Sequence, residues 1–365
     1  MSEHSVSGLP KTYKAAQVKS KGAKFELIDV ELNLPERGQV LVKVLACGVC
    51  HSDMTTKFEA IPGILPRVPG HEIIGDIVAI HESEDHWKLN DRVGSGWFGG
   101  SDGSCKQCRQ GSPINCPKLA INGVTRDGGY AQYVTLRREA VVSVPKEMDP
   151  AEAAPLTCAG ITTYNSMRNM GARPGDLVAI QGIGGLGSLA IGFARAMGFS
   201  TVALSSSSAK KDLATKLGAH HYLDSSAESQ ADALQKLGGA KLIVCTAPSQ
   251  EVINTLLPAL QPGGTLLLLA ILPSVTLPAQ QMVAKRLTVR GWPSGSPPDC
   301  EDCINFAQVE GVKPMIERYS LDDVEAAFER MSSNKARFRA VLIPDHNMSA
   351  KTDPAVQRGC EGREI

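Results

Sequence analysis

DLVAIQGIGGLGSLAIGFARAMG, at residues 176–198, is the stretch that decides the fold. Its first six residues have the composition of a buried strand, and a G-x-G-x-x-G turn then leads into an apolar helical pattern. In that turn the first glycine bends the chain, the second lets a pyrophosphate approach the backbone, and the third lets helix and strand pack closely. An ordinary glycine-rich loop is the alternative, but the strand before it and the helix after it favour dinucleotide binding. The predicted contacts are Gly182, Ile183, Gly184, Gly185, Leu186 and Gly187.

Strand-like segments continue after this unit at the spacing of successive βα units: TVALS (201–205), GAHHYL (218–223), KLIVCTA (241–247) and GTLLLLA (264–270). Strands that alternate with helices favour a parallel, doubly wound sheet. The longest apolar run, Leu266–Leu272, is too short to span a bilayer, and we predict that it is a buried strand.

Residues 11–150 have a different rhythm. Short β-type runs such as QVLVKVLACG (39–48) and GYAQYVTL (129–136) are separated by Gly and Pro, which favours a largely antiparallel β domain. KARFRAVLIP (335–344) reads as a last strand that rejoins this domain, and the tail beyond it is polar and expected to be poorly ordered. We predict a β domain at 1–155, a nucleotide domain at 156–295, and a return to the β domain with the tail at 296–365.

Composition narrows the function. A chain of 365 residues is too long for one ordinary core, so two domains are expected. Lys plus Arg and Asp plus Glu both number 38, and this balance disfavours nucleic-acid binding. The N-terminus has no apolar h-region, so we expect a cytoplasmic protein without membrane partners. In a reducing compartment its ten cysteines point to metal sites before disulfides.

Candidate metal ligands lie in CGVCHSD (47–53) and PGHE (69–72). A thiol at Cys50 and an imidazole at His71 suit a borderline-soft divalent ion, and the Gly/Pro-rich loop between them can fold back. A buried cysteine and a partnered core histidine would look the same. A third candidate is Cys158 in LTCAGITTY, at the junction of the two predicted domains.

The motifs CGVCHSD, GHE, the cysteine lobe at 102–116, TCAGITTY and GIGGLG stand in the order and spacing of one family. The chain resembles the zinc-dependent medium-chain alcohol dehydrogenases over nearly its whole length, in their yeast-type and cinnamyl-alcohol-dehydrogenase-like branches. The resemblance implies a GroES-like catalytic domain, a Rossmann domain, and hydride transfer between NADP(H) and a small alcohol or aldehyde. It further implies a homodimer or homotetramer.

The resemblance also implies roles for single residues. Cys50, His71 and Cys158 would bind the catalytic zinc, with Glu72 able to approach it from behind. Cys47, despite its C-x-x-C spacing, is read as a small buried thiol. The remaining positions are Asp53, which would orient the zinc-binding imidazole, Ser52, which would pass the substrate proton, His51 at the pyrophosphate, Thr162 at the nicotinamide and Arg339 at the phosphates. Arg339 could equally be a surface charge.

Two positions depart from the family pattern. Many relatives carry a relay histidine three residues after the proton-passing hydroxyl, and here that position is Thr55. Threonine does not titrate near neutral pH, so the relay must end in water, the ribose or His51. The second departure is Asp102, which takes the place of the first cysteine in the structural zinc lobe, before Cys105, Cys108 and Cys116. Carboxylate oxygen is an acceptable zinc ligand, so we expect a Cys3Asp site that releases zinc more easily.

The end of the second nucleotide-domain strand favours NADP over NAD. Ser205 stands where a carboxylate would accept hydrogen bonds from a free ribose 2′-hydroxyl, and SSSSAKK follows. Ser205, Ser206, Ser207 and Lys210 are a plausible cradle for a phosphate dianion. A polar βα loop without a ligand is the alternative.

Other signals are weaker. Cys300 and Cys303 lack nearby partners and read as a helix-face coincidence, and His220 with His221 precedes a strand. Trp97, Phe98 and Phe58 match the substrate-pocket region of the family. Two alternative functions remain at this stage: a zinc-free enoyl or quinone reductase of the same fold, and a non-catalytic NADPH-binding protein.

Overall fold

The computed structural model of the chain describes residues 8–247, 249–271 and 274–346. Its strands are β1 (Thr12–Val18), β2 (Phe25–Glu31), β3 (Gln39–Gly48), β4 (Ile73–Ile80), β5 (Arg92–Ser95), β6 (Phe98–Gly100), β7 (Ala120–Ile121), β8 (Tyr133–Arg137), β9 (Val142–Ser143), β10 (Leu177–Gln181), β11 (Ser200–Ser205), β12 (His221–Asp224), β13 (Ala240–Cys245), β14 (Leu260–Leu268), β15 (Thr288–Gly291), β16 (Ile316–Ser320) and β17 (Arg339–Ile343).

The α-helices of the same residues are α1 (Met54–Lys57), α2 (Lys106–Arg109), α3 (Pro150–Ala153), α4 (Ala159–Arg168), α5 (Gly185–Ala196), α6 (Lys211–Lys216), α7 (Gln230–Lys236), α8 (Gln250–Leu256), α9 (Ala279–Lys285), α10 (Pro297–Glu310) and α11 (Val324–Ser332). Short 3₁₀ turns add to them, and those that matter for the site are His51–Asp53, Ala154–Thr157 and Ser208–Lys210.

The second half of the chain forms a six-stranded sheet in the order β12-β11-β10-β13-β14-β15, and each pair in it is parallel. Val178, Ala179 and Ile180 on the central strand β10 are fully buried, because helices cover both faces of such a sheet. β10 has β11 on one side and β13 on the other, so the chain runs outward from β10 in one direction and then returns to continue in the other. The point where the strand order reverses leaves a crevice at the carboxyl end of β10. The predicted doubly wound sheet is confirmed.

The glycine turn lies at that crevice, between β10 and α5. Gly182 has φ +88°, a left-handed conformation that favours glycine. A Cβ on Gly187 would stand 1.8 Å from the carbonyl oxygen of Gly182, so a side chain there would push the helix off the strand. The turn therefore has the close helix–strand packing that its spacing predicts.

The first half of the chain and its end share a seven-stranded sheet. Its order is β16-β17-β3-β4-β5-β9, and β8 also pairs with β3. β17 is antiparallel to β3, with Val341 opposite Gly48, so the end of the described chain does rejoin the first domain. The pairs are antiparallel except β16 with β17, which agrees with a largely antiparallel GroES-like domain.

The prediction for the apolar run Leu266–Leu272 is wrong in its second half. Leu266 and Leu267 are fully buried, but β14 ends at Leu268 and Ile271 is 91% exposed. The neighbouring strands β13 and β15 pair with β14 only as far as Leu268, so the run leaves the sheet there. Leu272 and the tail from residue 347 lie outside the described residues. Within the described part of the chain, none of the helices combines the length and apolar character needed to cross a membrane.

Candidate active site

Four predicted ligands meet at the junction of the two sheets. The donor atoms of Cys50, His71, Glu72 and Cys158 all lie within 4.8 Å of one another. Cys50 follows β3 by two residues, and the pair His71–Glu72 directly precedes β4. Because Cys47 on β3 is the antiparallel partner of Ile73 on β4, the strand register itself brings the two ends together.

Cys158 completes the cluster from the other side. It lies between the 3₁₀ turn Ala154–Thr157 and helix α4, and its carbonyl accepts the Thr162 amide at 2.9 Å. Thr162, the position predicted to lie at the nicotinamide, is therefore one turn further along α4 and half-buried.

The cluster fits a zinc ion. Two thiolates at about 2.3 Å from a tetrahedral ion stand about 3.8 Å apart, and the Sγ atoms of Cys50 and Cys158 are separated by 3.8 Å. The Nε2 atom of His71 is buried and has no hydrogen-bond partner among the described residues, as a free ligand nitrogen would. Both carboxylate oxygens of Glu72 are likewise without a hydrogen bond there. Buried polar atoms left without hydrogen-bond partners are rare, and here they belong to two residues of the same donor cluster.

The electrostatics favour a cation at this point. A hydrogen bond from Cys158 lowers the pKa of the Cys50 thiol well below its usual value, and the positive charge of Arg339 lowers it further. Burial raises the pKa of Glu72 to about 8, since a carboxylate charge is costly without solvent. A bound divalent ion would compete with protons for these donors.

Arg339 is buried between the cluster and the glycine turn. Its Nη2 atom lies 3.3 Å from Glu72 Oε1, and its Nη1 donates to the Val49 carbonyl at 3.3 Å. On the other side, a Cβ on Gly185 would be 3.6 Å from the guanidinium carbon. Burial opposes the charge of Arg339, but Glu72 and the two thiols raise its pKa. Arg339 is thus not a surface charge.

Asp53 holds the imidazole of His71. Its Oδ1 lies 3.0 Å from His71 Nδ1, and its Oδ2 accepts the Cys50 amide at 2.8 Å. Oδ2 also accepts the hydroxyl of Tyr130 at 2.7 Å, a contact that sequence reasoning missed. Tyr130 lies 77 residues from Asp53 in a Gly-Gly-Tyr stretch with no local mark of metal chemistry. Only the packing of the loop before β8 reveals it.

The three residues around the predicted proton path differ in exposure. His51 is exposed, whereas Ser52 and Thr55 are half-buried. Ser52 shares the short turn His51–Asp53 with the residue that holds His71, and Thr55 lies on α1, the next turn of the chain. Thr55 is therefore close to Cys50 along the chain and partly accessible.

The residues predicted to recognise the cofactor phosphate lie next to the glycine turn. Ser205 ends β11, while Ser206 and Ser207 are exposed. Lys210 reaches back, and its Nζ donates to the carbonyl of Ile183 at 2.7 Å. The lysine is thereby fixed at the turn rather than free in solvent.

A second cation near this turn was not predicted. The guanidinium carbon of Arg337 lies 5.9 Å from the centre of the Phe338 ring, and Lys210 Nζ lies 5.7 Å from the same centre. Burial lowers the pKa of Lys210, and the charge of Arg337 lowers it further. Arg337 is brought there by the return of the chain into β17, which a local sequence pattern does not show.

Asp102, Cys105, Cys108 and Cys116 form the second donor cluster, also within 4.8 Å. The Sγ atom of Cys105 lies 3.5 Å from that of Cys108 and 3.9 Å from that of Cys116, close to the separation around one zinc ion. Asp102 Oδ1 accepts the amides of Cys105 at 2.9 Å and Ser104 at 3.0 Å, and these bonds lower its pKa to about 2. Asp102 thus presents a charged carboxylate to the three thiols.

The weaker signals are resolved by burial. Cys47 is fully buried, burial raises its pKa, and it belongs to neither donor cluster among the described residues. Cys300 and Cys303 are buried on α10 and likewise belong to neither cluster there. The Trp97 ring stands edge-on to His71 with centres 5.0 Å apart, whereas Phe98 is buried in β6 and Phe58 is exposed.

Comparison with known proteins agrees with this geometry. The profile of the family described as "Alcohol dehydrogenase GroES-like domain" matches residues 36–146, and that of "Zinc-binding dehydrogenase" matches residues 185–308. An alcohol dehydrogenase of Penicillium expansum is 48% identical over 336 residues, which cover 92% of this chain and 99% of the relative.

Solved structures give the same result. A cinnamyl alcohol dehydrogenase from Sorghum bicolor is 31% identical with a TM-score of 0.82, covering 91% of this chain and 98% of the other. A structure of CAD from Helicobacter pylori complexed with NADP(H) is 27% identical with a TM-score of 0.81 and the same coverage.

The second cluster gives a testable prediction about Asp102. Thiolate binds a borderline-soft ion more firmly than carboxylate oxygen, so Asp102→Cys should slow zinc release from this lobe. We expect a change of roughly tenfold or more, since even residues that only support a ligand have effects of that size. Zinc release to an excess of chelator, followed with a coloured zinc indicator, measures it.

Asp102→Asn is the matched control, because an amide oxygen can still accept the two backbone amides but lacks the charge. Its zinc should leave faster than in the wild type. If the chain holds only one zinc tightly and Asp102→Cys leaves the release rate unchanged, Asp102 is not a ligand.

Proposed function

This chain belongs to the zinc-dependent medium-chain alcohol dehydrogenases, and from that premise we propose that it reduces aldehydes to primary alcohols with NADPH. The family makes it an oxidoreductase that acts on a small alcohol or its carbonyl product. The observation that carries the proposal is the buried meeting of Cys50, His71 and Cys158, with a histidine nitrogen left free for an ion. Three protein ligands leave the fourth position that a catalytic zinc needs.

The cluster residues would hold the zinc and balance its charge. Thiolates at Cys50 and Cys158 neutralise a divalent ion, and His71 adds a neutral nitrogen fixed by Asp53. When bound, zinc polarises an aldehyde carbonyl or lowers the pKa of an alcohol. The hydroxyl of Ser52, in the turn that follows Cys50, is suited to pass the substrate proton towards the ribose.

Arg339 supports a shared role for the cluster and the cofactor crevice. Its guanidinium lies between the Glu72 carboxylate and the glycine turn, so one cation faces both an acid near the zinc ligands and the place where a pyrophosphate would bind. The half-buried Thr162, one turn from Cys158, supports a nicotinamide position beside the same cluster.

The preference for NADP is supported by the residues around Ser205. No carboxylate ends β11, and Asp224 on β12, which is paired with Ser205, accepts both the amide and the hydroxyl of Ser226. Lys210, held at the glycine turn, and Arg337, over the same Phe338 ring, add positive charge for a phosphate dianion. The Helicobacter pylori neighbour was solved with NADP(H). With this cofactor we propose the direction of aldehyde reduction.

We also propose that the chain forms a homodimer or homotetramer through the edge of its parallel sheet. β15 is the last strand of that sheet in the described chain. Two large apolar side chains of the same domain are unusually exposed, Ile271 at 91% and Val283 at 78%. An open strand edge and exposed apolar side chains favour association.

A panel of aliphatic and aromatic aldehydes, assayed with NADPH and with NADH, tests the function. We expect turnover with a higher kcat/KM for NADPH. Cys158→Ser should lose one zinc and nearly all activity, because a catalytic zinc needs all three ligands. Cys300→Ser changes a buried cysteine outside both clusters and should retain the zinc and the activity. Activity that survives zinc removal would instead indicate the zinc-free reductases of this fold, and a zinc-loaded chain without turnover would indicate a non-catalytic protein.

Lys210→Ala should weaken the binding of NADPH much more than the binding of NADH. A hydrogen bond to a charged group contributes about 1.5–3 kcal/mol, so the Kd for NADPH should rise roughly ten- to hundredfold. Titration calorimetry with each cofactor measures both constants. Lys216→Ala removes the same charge from the far end of α6 and should change neither. Equal losses for NADPH and NADH in Lys210→Ala would contradict a phosphate role.

Thr55→His should give the hydride step a steeper pH dependence. An imidazole titrates at about 6.5 and can take up the substrate proton, whereas threonine cannot near neutral pH. The wild type should show the shallower profile, without an inflection in that range. Single-turnover nicotinamide absorbance against pH measures the step, and Thr55→Gln provides a side chain of similar length that does not titrate. Identical pH profiles for Thr55→His and the wild type would contradict this prediction.

A further inference from the structure

Tyr130 is buried completely and its ring is held from several sides. A Cβ on Gly70 would come within 2.4 Å of the ring, so only glycine at that position, with φ +99°, leaves room for it. The Phe25 ring lies 6.0 Å away between centres. The Tyr130 backbone donates to the Pro69 carbonyl at 3.0 Å and accepts the Ala16 amide at 2.8 Å. Because the ring is confined in this way, the position of its hydroxyl oxygen is fixed.

That hydroxyl points to Asp53. It donates to Asp53 Oδ2 at 2.7 Å, beside the Cys50 amide at 2.8 Å, while Oδ1 faces His71 Nδ1 at 3.0 Å. Asp53 is 1% exposed, so its charge depends on these hydrogen bonds rather than on water. Loss of the hydroxyl would leave the Cys50 amide as the donor to Oδ2 and would let the carboxylate turn about its χ2 angle more easily.

We infer that Tyr130 is a positioning residue of the metal centre: through Asp53 it fixes the plane of the His71 imidazole and so slows release of the ion. The inference rests on the proposed function, because it requires that Cys50, His71 and Cys158 hold zinc. The path is direct, from the Tyr130 hydroxyl to Asp53, from Asp53 to His71 Nδ1, and from that ring to the free Nε2 atom. Mutation of a carboxylate that holds a zinc-binding histidine commonly lowers metal affinity ten- to a hundredfold.

Tyr130→Phe tests the inference, since it removes one oxygen and keeps the ring that Gly70 accommodates. Zinc release to excess chelator should become roughly tenfold faster, at the lower end of that range because Tyr130 is one hydrogen bond further from the metal. The kinetic phase that Cys158→Ser lacks belongs to this cluster. In the cobalt-substituted protein, the visible absorption bands should shift, which a loss of packing elsewhere would not cause. Release from the lobe of Cys105, Cys108 and Cys116 should not change.

Tyr133→Phe is the matched control, at a second buried tyrosine of the same segment, and it should leave both release phases unchanged. In an Asp53→Ala background Tyr130→Phe should have no further effect on release, because the path runs through that carboxylate. Should Tyr130→Phe destabilise folding, release is compared at a temperature where both proteins stay folded, and an unchanged rate there overturns the role.

The outcomes separate the two claims. If the wild type holds no zinc that depends on Cys158, both the proposed function and this inference fail. If the wild type holds zinc and Tyr130→Phe releases it at the same rate, only the role of Tyr130 is overturned. The role is also overturned if Tyr130→Phe speeds release equally with and without the Asp53 carboxylate.

Discussion

The antiparallel register of β3 against β4 is the constraint on which the site depends. With Cys47 opposite Ile73, the chain leaves β3 just before Cys50 and enters β4 just after Glu72. Three of the four donors at the cluster are thus fixed by one pair of strands. A shift of one residue would turn alternate side chains to the other face and separate Cys50 from His71. Gly48 is part of the same constraint, since a Cβ there would stand 1.9 Å from Glu72 Oε2.

Burying this cluster has an electrostatic cost that a bound cation would lower. Cys50, His71, Glu72 and Asp53 are all at most 7% exposed, and such groups are costly without partners. Asp53 is satisfied by hydrogen bonds and Glu72 faces Arg339, but the donors aimed at the centre of the cluster are not satisfied. In the second cluster, the cost of burying the charged donors is smaller. Its residues are closer to solvent, and Asp102 is already stabilised by two amides.

The features that could be predicted from the sequence are those set by the spacing of residues within a motif and by the order of motifs along the chain. The glycine turn, the parallel sheet and the return of β17 to the first domain are confirmed, and the structure brings the eight predicted metal-ligand candidates into two clusters. The sequence did not predict Tyr130 or Arg337, because each reaches its site across the fold rather than along a motif. The buried-strand prediction for Leu266–Leu272 failed for a related reason. Apolar character says that a segment can be buried, but the length of the neighbouring strands decides where the sheet ends.

Three parts of the chain that are far apart in sequence meet at one cation, Arg339. Arg339 comes from β17, Glu72 from the start of β4, and the glycine turn from the nucleotide domain. Cys158 likewise stands at the beginning of α4, the first helix of that domain, while the other three donors of the cluster come from the other domain. A change in the spacing of the two domains would therefore alter the ligand set and the charge near the cofactor together. Substrate carbonyl and hydride donor must be aligned to a fraction of an ångström, and this shared construction makes the alignment a property of one junction.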